Sequence, residues 1–371
     1  VSAFNDFFSP NSAALNDSGA MAQTAVAGLC TGDFHDRWDQ ARQVAHLGEA
    51  ALADLLTILE DEDGDWEARW FAARALGELN HPQVVPALIA TFAATPDDDL
   101  RQAVAAALTQ IGPPAIAALG EQLAQPALRP VAVQALARIP HPATLPLLIE
   151  ATNDARSPVR ATALDALCPF ADPATWPVVQ QGLQDSAPAV RAAAIRGLLS
   201  LRGHLSADQL VAALAPLVND PDETIAQQSV YALGRLSGSA AATALLRLLP
   251  ACNPVSLQTA AVQALIWHNT PLALTGLIAA WEALAPAARL ALVQGLPTVS
   301  LELQTSAAQA LQGWLGATPA AIEHSLLRRH LVLALGQMGH TEAEPLLRSL
   351  LDDPDQGVQL HAEAALRQLQ H

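Results

Sequence analysis

Residues 69–76 read RWFAARAL, an Arg followed by aromatic and small residues and closed by Ala-Leu. The same phrase returns as RQAVAAAL at 101–108, RPVAVQAL at 129–136, RATALDAL at 160–167 and RAAAIRGL at 191–198. Anchored on the final Leu, the series runs Leu47, Leu76, Leu108, Leu136, Leu167, Leu198, Leu233, Leu265, Leu296, Leu335 and Leu366. The intervals are 29, 32, 28, 31, 31, 35, 32, 31, 39 and 31 residues. A fixed period of this size is the mark of a repeat architecture and overrides any domain count taken from length.

Within the phrase, a helix turning 100° per residue sets the anchor Leu and the residues three and four before it on one face, as with Leu76, Ala73 and Ala72 or Leu265, Val262 and Ala261. Between phrases lies a second apolar segment, opened at or near its first turn by Pro82, Pro113, Pro142, Pro173 or Pro271. Proline is tolerated there because the first amides of a helix have no internal partner. Each unit is therefore an A helix, a turn and a B helix, a pair too small to bury both faces without stacking on its neighbours. The fold class expected is all-α, a right-handed α-solenoid of about ten short helix pairs over residues 34–371, with no β-sheet. Residues 1–33 match no repeat, and with Phe4, Phe7 and Phe8 they read either as a cap on the exposed end of the array or as an arm that folds on a partner.

An Arg recurs seven residues before the anchor as Arg69, Arg101, Arg129, Arg160, Arg191, Arg289 and Arg328, and an Asp thirteen before it as Asp63, Asp154, Asp185, Asp220 and Asp353. The Arg lies only ~20° from the anchor, on the packing side. A structural ladder, in which loop carboxylates cap B helices and pair with Arg of the same or the adjacent repeat, explains the rows better than an anion-binding strip.

The composition, 51% hydrophobic, 4% aromatic and 15% charged, describes a large core built mostly of Ala and Leu. The net charge is -17, and all the cationic side chains counted with Lys are Arg, for the chain contains no Lys. That balance disfavours nucleic acid as a partner, since a phosphate backbone is gripped by clustered positive charge. It also removes a Schiff-base or P-loop lysine. Cys30, Cys168 and Cys252 have no CxxC spacing, so neither a disulfide framework nor a thiolate zinc site is expected, and a reducing cytoplasmic location fits best. The opening segment lacks the charged start and apolar run of a signal peptide. The uncharged stretch from Leu248 to Trp281 is broken by Pro250, Pro254 and Pro271, and reads as two buried helices, with no membrane span.

The phrases resemble the HEAT repeat, in the short form found in the HEAT-like repeats of phycobiliprotein bilin lyases, over roughly residues 36–371. The stretch from Arg69 through Trp70, Phe71, Ala72, Ala73, Arg74, Ala75 and Leu76 to Gly77 is similar to the aromatic, Ala-rich helix near the start of the E/F-type lyases. What this resemblance implies is a solenoid that holds a phycobiliprotein subunit and a linear tetrapyrrole while a thioether bond forms. Related members, it implies equally, bind phycobilisome components or assembly proteins without obvious catalysis. No nucleophile or base of a lyase maps onto this chain. HEAT-like deoxyhypusine hydroxylases, another relative, hold two irons through repeated His-Glu dipeptides. This chain has none, its nearest approaches being Glu323-His324 and His361-Ala362-Glu363, and its eleven His are scattered mostly in turns, so neither a metal nor another cofactor is expected. No GxSxG-type nucleophile turn is visible either.

The candidate site is the B-helix face opposite the core, which lines the concave surface of HEAT arrays. Positions six and two before the anchor and two after it lie 120° to 200° from the Leu. They include Trp70 and Arg74, Arg138, Arg196, Tyr231 and Arg235, and Trp267. Trp, Tyr and Arg are the residue types that concentrate binding energy at interfaces. The competing reading packs Trp70 under the amino-terminal segment and Trp267 into a core gap. The function expected is thus a non-enzymatic scaffold with a protein partner, a phycobiliprotein or an assembly factor. The alternative is a bilin lyase or lyase subunit acting on a linear tetrapyrrole.

Overall fold

Each recurrent phrase is a helix. In a computed structural model describing residues 12–31, 33–79, 81–236, 238–251, 254–318 and 325–369, regular structure is helical throughout the described residues, with no strand. The chain divides into two compact units, residues up to Val178 and residues from Val179 onward. The first contains B helices Phe34–Leu47, Trp66–Leu76, Asp98–Ile111, Arg129–Ala137 and Ser157–Leu167. The second contains Pro188–Ser200, Glu223–Gly234, Val255–His268, Pro286–Gly295, Ser325–Met338 and Gln356–Gln368. Anchors Leu76, Leu108, Leu136, Leu198, Leu233, Leu296 and Leu335 are wholly buried, together with the Ala and Val one turn earlier.

The A helices begin more tightly than an ordinary helix. Pro113, Pro142 and Pro173 each open a 3₁₀ turn that runs on into the α-helix, while Pro271 sits at the first position of Pro271–Ala280. Pro82 lies in the turn just before Val84–Ala94. Short side chains close these ends: His141 Nδ1 accepts from the Ala143 amide, Asp172 from Ala174 and Thr270 from Ala273. The stretch between Leu248 and Trp281 holds two helices, Val255–His268 and Pro271–Ala280, separated by Asn269 in the left-handed conformation with φ 48°.

Close approach of B helices has a recurring device that was not read from the sequence. The Gly after the anchor meets the Ala before the next anchor: Gly77 against Ala107, Gly234 against Ala264 and Gly336 against Ala365. A Cβ on Gly234 would fall 2.6 Å from the Ala264 Cβ and 2.9 Å from its Cα. Overpacking of this kind costs about 1–3 kcal/mol, while Ala gains about 0.5–1 kcal/mol over Gly in a helix. Gly234→Ala is therefore expected to destabilise by about 1 kcal/mol net, seen as a lowered Tm, and a raised Tm would mean that the two backbones are free to separate.

The Arg ladder is present, with more detail than expected. Each Arg side chain donates to the chain end that precedes its helix: Arg69 to the Leu59 carbonyl, Arg129 to Leu123, Arg191 to Asp185, Arg289 to Trp281 and Arg328 to Thr318. Arg160 donates to the Asp154 and Ala155 carbonyls at 2.8 and 3.0 Å. The ladder also reaches the following repeat: Arg129 donates to Asp154 at 2.7 Å, Arg191 to both oxygens of Asp220 at 2.7 and 2.6 Å, and Arg328 to Asp353. The Asp carboxylates do not cap helices in the ordinary sense. Asp154, Asp185, Asp220 and Asp353 each accept the amide two residues on, which is that of the N-cap residue itself. Asp63 departs from the row: it is exposed, and Asp65 takes the rung, 2.5 Å from Arg37. Burial raises the Asp154 carboxyl, but hydrogen bonds from Arg156 and Arg129 outweigh it and hold the group well below the usual carboxylate range.

At two of the seventh positions that lack Arg, 258 and 359, Gln takes over, whereas the Leu233 repeat has Ala226 there. Gln258 donates to the Leu249 carbonyl and accepts from the Ala285 amide, and Gln359 donates to the Asp353 carbonyl. At the start of the chain, helix Ser12–Thr31 packs along Phe34–Leu47 and buries Ala22, Ala25, Val26 and Leu29. Phe4, Phe7 and Phe8 lie outside the described residues.

Candidate functional site

In the second unit, helices Pro188–Ser200, Glu223–Gly234 and Val255–His268 lie in succession, each packed on the next. The inward residues of the last two pair so closely, through Gly234 and Ala264, that the outward ones are also brought together. The rings of Tyr231 and Trp267 stand 5.7 Å apart at 36°. Trp267 is 58% exposed, so it does not fill a core gap. Tyr231 is half-buried against its neighbours, and Arg196 and Arg235 are exposed. His268, next to Trp267, places Nε2 3.1 Å from the Leu233 carbonyl of the preceding helix, which ties the two B helices at the same level. Of these four predicted site residues, Tyr231 and Trp267 are brought into ring contact, while Arg196 and Arg235 are exposed at outward positions of the first and second of the three helices.

In the first unit the predicted residues separate. Arg138 is exposed at the end of Arg129–Ala137. Trp70 and Arg74 instead belong to an aromatic cluster: Trp70 stacks on Trp38 at 6.3 Å and meets Phe71 edge-on at 4.9 Å, and the Arg74 guanidinium sits 4.2 Å over the Trp38 ring. Trp70 and Arg74 are thus half-buried against Trp38 of the first B helix, within the array and not under residues 1–33. Beside them opens a cavity of about 440 Å³ whose apolar wall is Phe34, Trp66, Trp70 and Phe71 and whose rim carries Glu67 and Asp99. Phe34, Trp38, Trp66 and Phe71 were missed in the sequence reading. The available signal was their density, since a chain with 4% aromatic residues places them all between 34 and 71.

Toward the other end, His330 on Ser325–Met338 faces His361 on Gln356–Gln368. Burial pushes the His330 imidazole below its ordinary value of 6.5, and the nearby His361 adds to the shift. A depressed imidazole means that the unfolded chain binds the proton more readily, so stability present above pH 6.5 is lost as the pH falls below it. Tm measured between pH 7.5 and 5.5 should drop, and His330→Gln should flatten that dependence, whereas an unchanged slope would place the effect elsewhere. Among the described residues no group of three or more His, Cys, Asp or Glu is arranged to hold a metal, and no helix is long and apolar enough to cross a membrane.

Stacked helix pairs with a polar ladder between layers and a side-chain row on the opposite face define an α-solenoid repeat protein. A family model describing HEAT repeats matches residues 52–127, 116–198, 145–215 and 176–266, and one describing a PBS lyase HEAT-like repeat matches residues 327–353. The chain belongs to the HEAT-repeat family, since the first model alone covers more than half of it. It is similar to the bilin biosynthesis protein PecE of Mastigocladus laminosus, 42% identical over 96 residues, which are 24% of this chain and 36% of that protein. The PecE of Nostoc sp. is 40% identical over 96 residues, 24% of this chain and 38% of its own. The chain thus spans little more than a third of the length of these curated relatives. Among solved structures, the karyopherin Kap121p bound to the extreme C-terminus of the protein phosphatase Cdc14p superposes with a TM-score of 0.66 at 15% identity, covering 95% of this chain and 46% of that one. Kap121p bound to Nup53p gives 0.65 at 16% identity, covering 97% and 46%. At such identities the likeness is one of fold alone.

Proposed function

We propose that this chain is a protein-binding scaffold of the phycobiliprotein-related HEAT family, and that its partner docks on the face bearing Arg196, Tyr231, Arg235 and Trp267. The observation that carries the reading is the pair of half-buried Tyr231 and exposed Trp267, two large rings held 5.7 Å apart on neighbouring helices. Amphipathic aromatics fixed in advance lose little entropy on binding and make effective anchors. Arg196 and Arg235 beside them form a local basic patch on a chain of net charge -17, so a partner with an acidic rim would be steered to this face while the rest of the surface repels it. The likeness to two bilin biosynthesis proteins supports a phycobiliprotein as that partner. In this reading residues 34–371 form the array and helix Ser12–Thr31, which packs along its first B helix, serves as a cap, with an arm that folds on the partner as the alternative for residues 1–33.

A second reading, bilin lyase or lyase subunit, is favoured by the aromatic-walled cavity beside Trp70 and by the same likeness to bilin biosynthesis proteins. Mixing the purified protein with phycocyanobilin and an apo-phycobiliprotein separates the two. A stable complex without covalent adduct above the spontaneous background supports the scaffold, and an adduct formed faster than that background supports the lyase.

A further inference from the structure

The cavity in the first unit has chemistry of its own, independent of the docking face just proposed. Its lining comes from three successive B helices, Phe34–Leu47, Trp66–Leu76 and Asp98–Ile111. Trp66 and Trp70 are one helical turn apart on Trp66–Leu76, Phe34 leans in from the first B helix at 5.4 Å from Phe71, and Asp99 comes from the start of Asp98–Ile111. Two of the rings are held open to solvent, Phe34 at 60% and Trp66 at 48% exposure, although the chain has ample Ala and Leu with which to cover them. The surroundings are acidic. The run DEDGD at 61–65 leads directly into Trp66, Glu67 follows it, and DDD at 97–99 opens the facing helix. Two cations lie nearby and both are committed: Arg37 to Asp65 and Glu67, and Arg101 to Asp98 and the Thr95 carbonyl. Arg74 lies over Trp38, which is not part of the cavity wall. Asp99 remains exposed at the rim.

An aromatic wall presents the negative face of its ring quadrupoles, and carboxylates at the rim add to the same potential, so such a cavity selects cations and repels anions. Its volume of about 440 Å³ exceeds what a single ammonium or guanidinium needs and suits a long cationic side chain with part of its backbone. We infer that this cavity binds an Arg- or Lys-bearing segment of a partner protein, with the side-chain stem against Phe34 and Trp70, the cationic head over Trp66 and its charge toward Asp99. Glu67, already shared with Arg37, shapes the rim and contributes less.

The test needs no identified partner. A capped Gly-Arg-Arg-Gly peptide, its Lys counterpart and its Glu counterpart are titrated into the full chain, with quenching of Trp fluorescence and heat as readouts. Saturable binding of the Arg and Lys peptides, absent for the Glu peptide and weakened by salt, is expected. Trp66→Ala should weaken it about tenfold and Asp99→Asn about threefold. Both side chains are exposed, and an unchanged circular dichroism spectrum and Tm would show that the fold is retained. Equal binding of the Glu peptide, full affinity in Trp66→Ala, or no saturable response to the Arg peptide at millimolar concentration would each overturn the inference. None of these outcomes bears on the Tyr231 and Trp267 face, which lies in the other unit.

Discussion

Asp220→Ala is expected to lower stability by about 3–5 kcal/mol. The Asp220 side chain is almost wholly buried and accepts from Nε and Nη2 of Arg191, itself 7% exposed, while the same carboxylate accepts the Asp222 amide at 2.9 Å. Removing the acid strands a buried guanidinium whose remaining partners are the Asp185 and Ser186 carbonyls, and it frees the amide that starts helix Glu223–Gly234. Most of the loss is the cost of the unpaired charge, not the worth of the pair. The double replacement Arg191→Met with Asp220→Leu should therefore be less damaging than Asp220→Ala alone. Chemical denaturation followed by circular dichroism reads both. A loss of under about 1 kcal/mol in Asp220→Ala would mean that the rung behaves as a surface pair.

The second large effect concerns binding. Tyr231→Ala with Arg235→Ala is expected to weaken the complex with an apo-phycobiliprotein by about 2 kcal/mol or more, while Tm shifts little because neither side chain faces the core. Tyr231 also holds Trp267 in place from 5.7 Å, so its removal loosens the neighbouring anchor and the two losses will not simply add. Arg160→Ala is the control. It removes two bonds to loop carbonyls and should lower Tm without a specific effect on affinity. Calorimetric titration of the three proteins under one salt condition makes the comparison. Equal affinities would remove Tyr231 and Arg235 from the interface.

The repeat and its ladder were legible because both rest on fixed spacings within one helix. Leu at the anchor, small residues a turn earlier and Arg at the seventh position follow from 3.6 residues per turn. Gln258 and Gln359 escaped notice because the ladder was read as a row of Arg, whereas the geometry asks only for a donor that can reach the preceding carbonyl. Asp63 was misassigned because loop lengths vary from repeat to repeat, and two residues decide which carboxylate meets Arg37. The Tyr231 and Trp267 pair was legible as two outward positions on consecutive helices. The cavity was not, since Phe34, Trp66, Trp70 and Asp99 come from three helices, and nothing in the spacing of one helix reports what faces it from the next.

Docking of a protein partner on the face with Arg196, Tyr231, Arg235 and Trp267 is read out by amide hydrogen exchange of the full chain with and without an apo-phycobiliprotein. Exchange is expected to slow on partner addition in helices Glu223–Gly234 and Val255–His268 and in the last turn of Pro188–Ser200. Exchange unchanged in these helices, or slowed only in other segments, would contradict it.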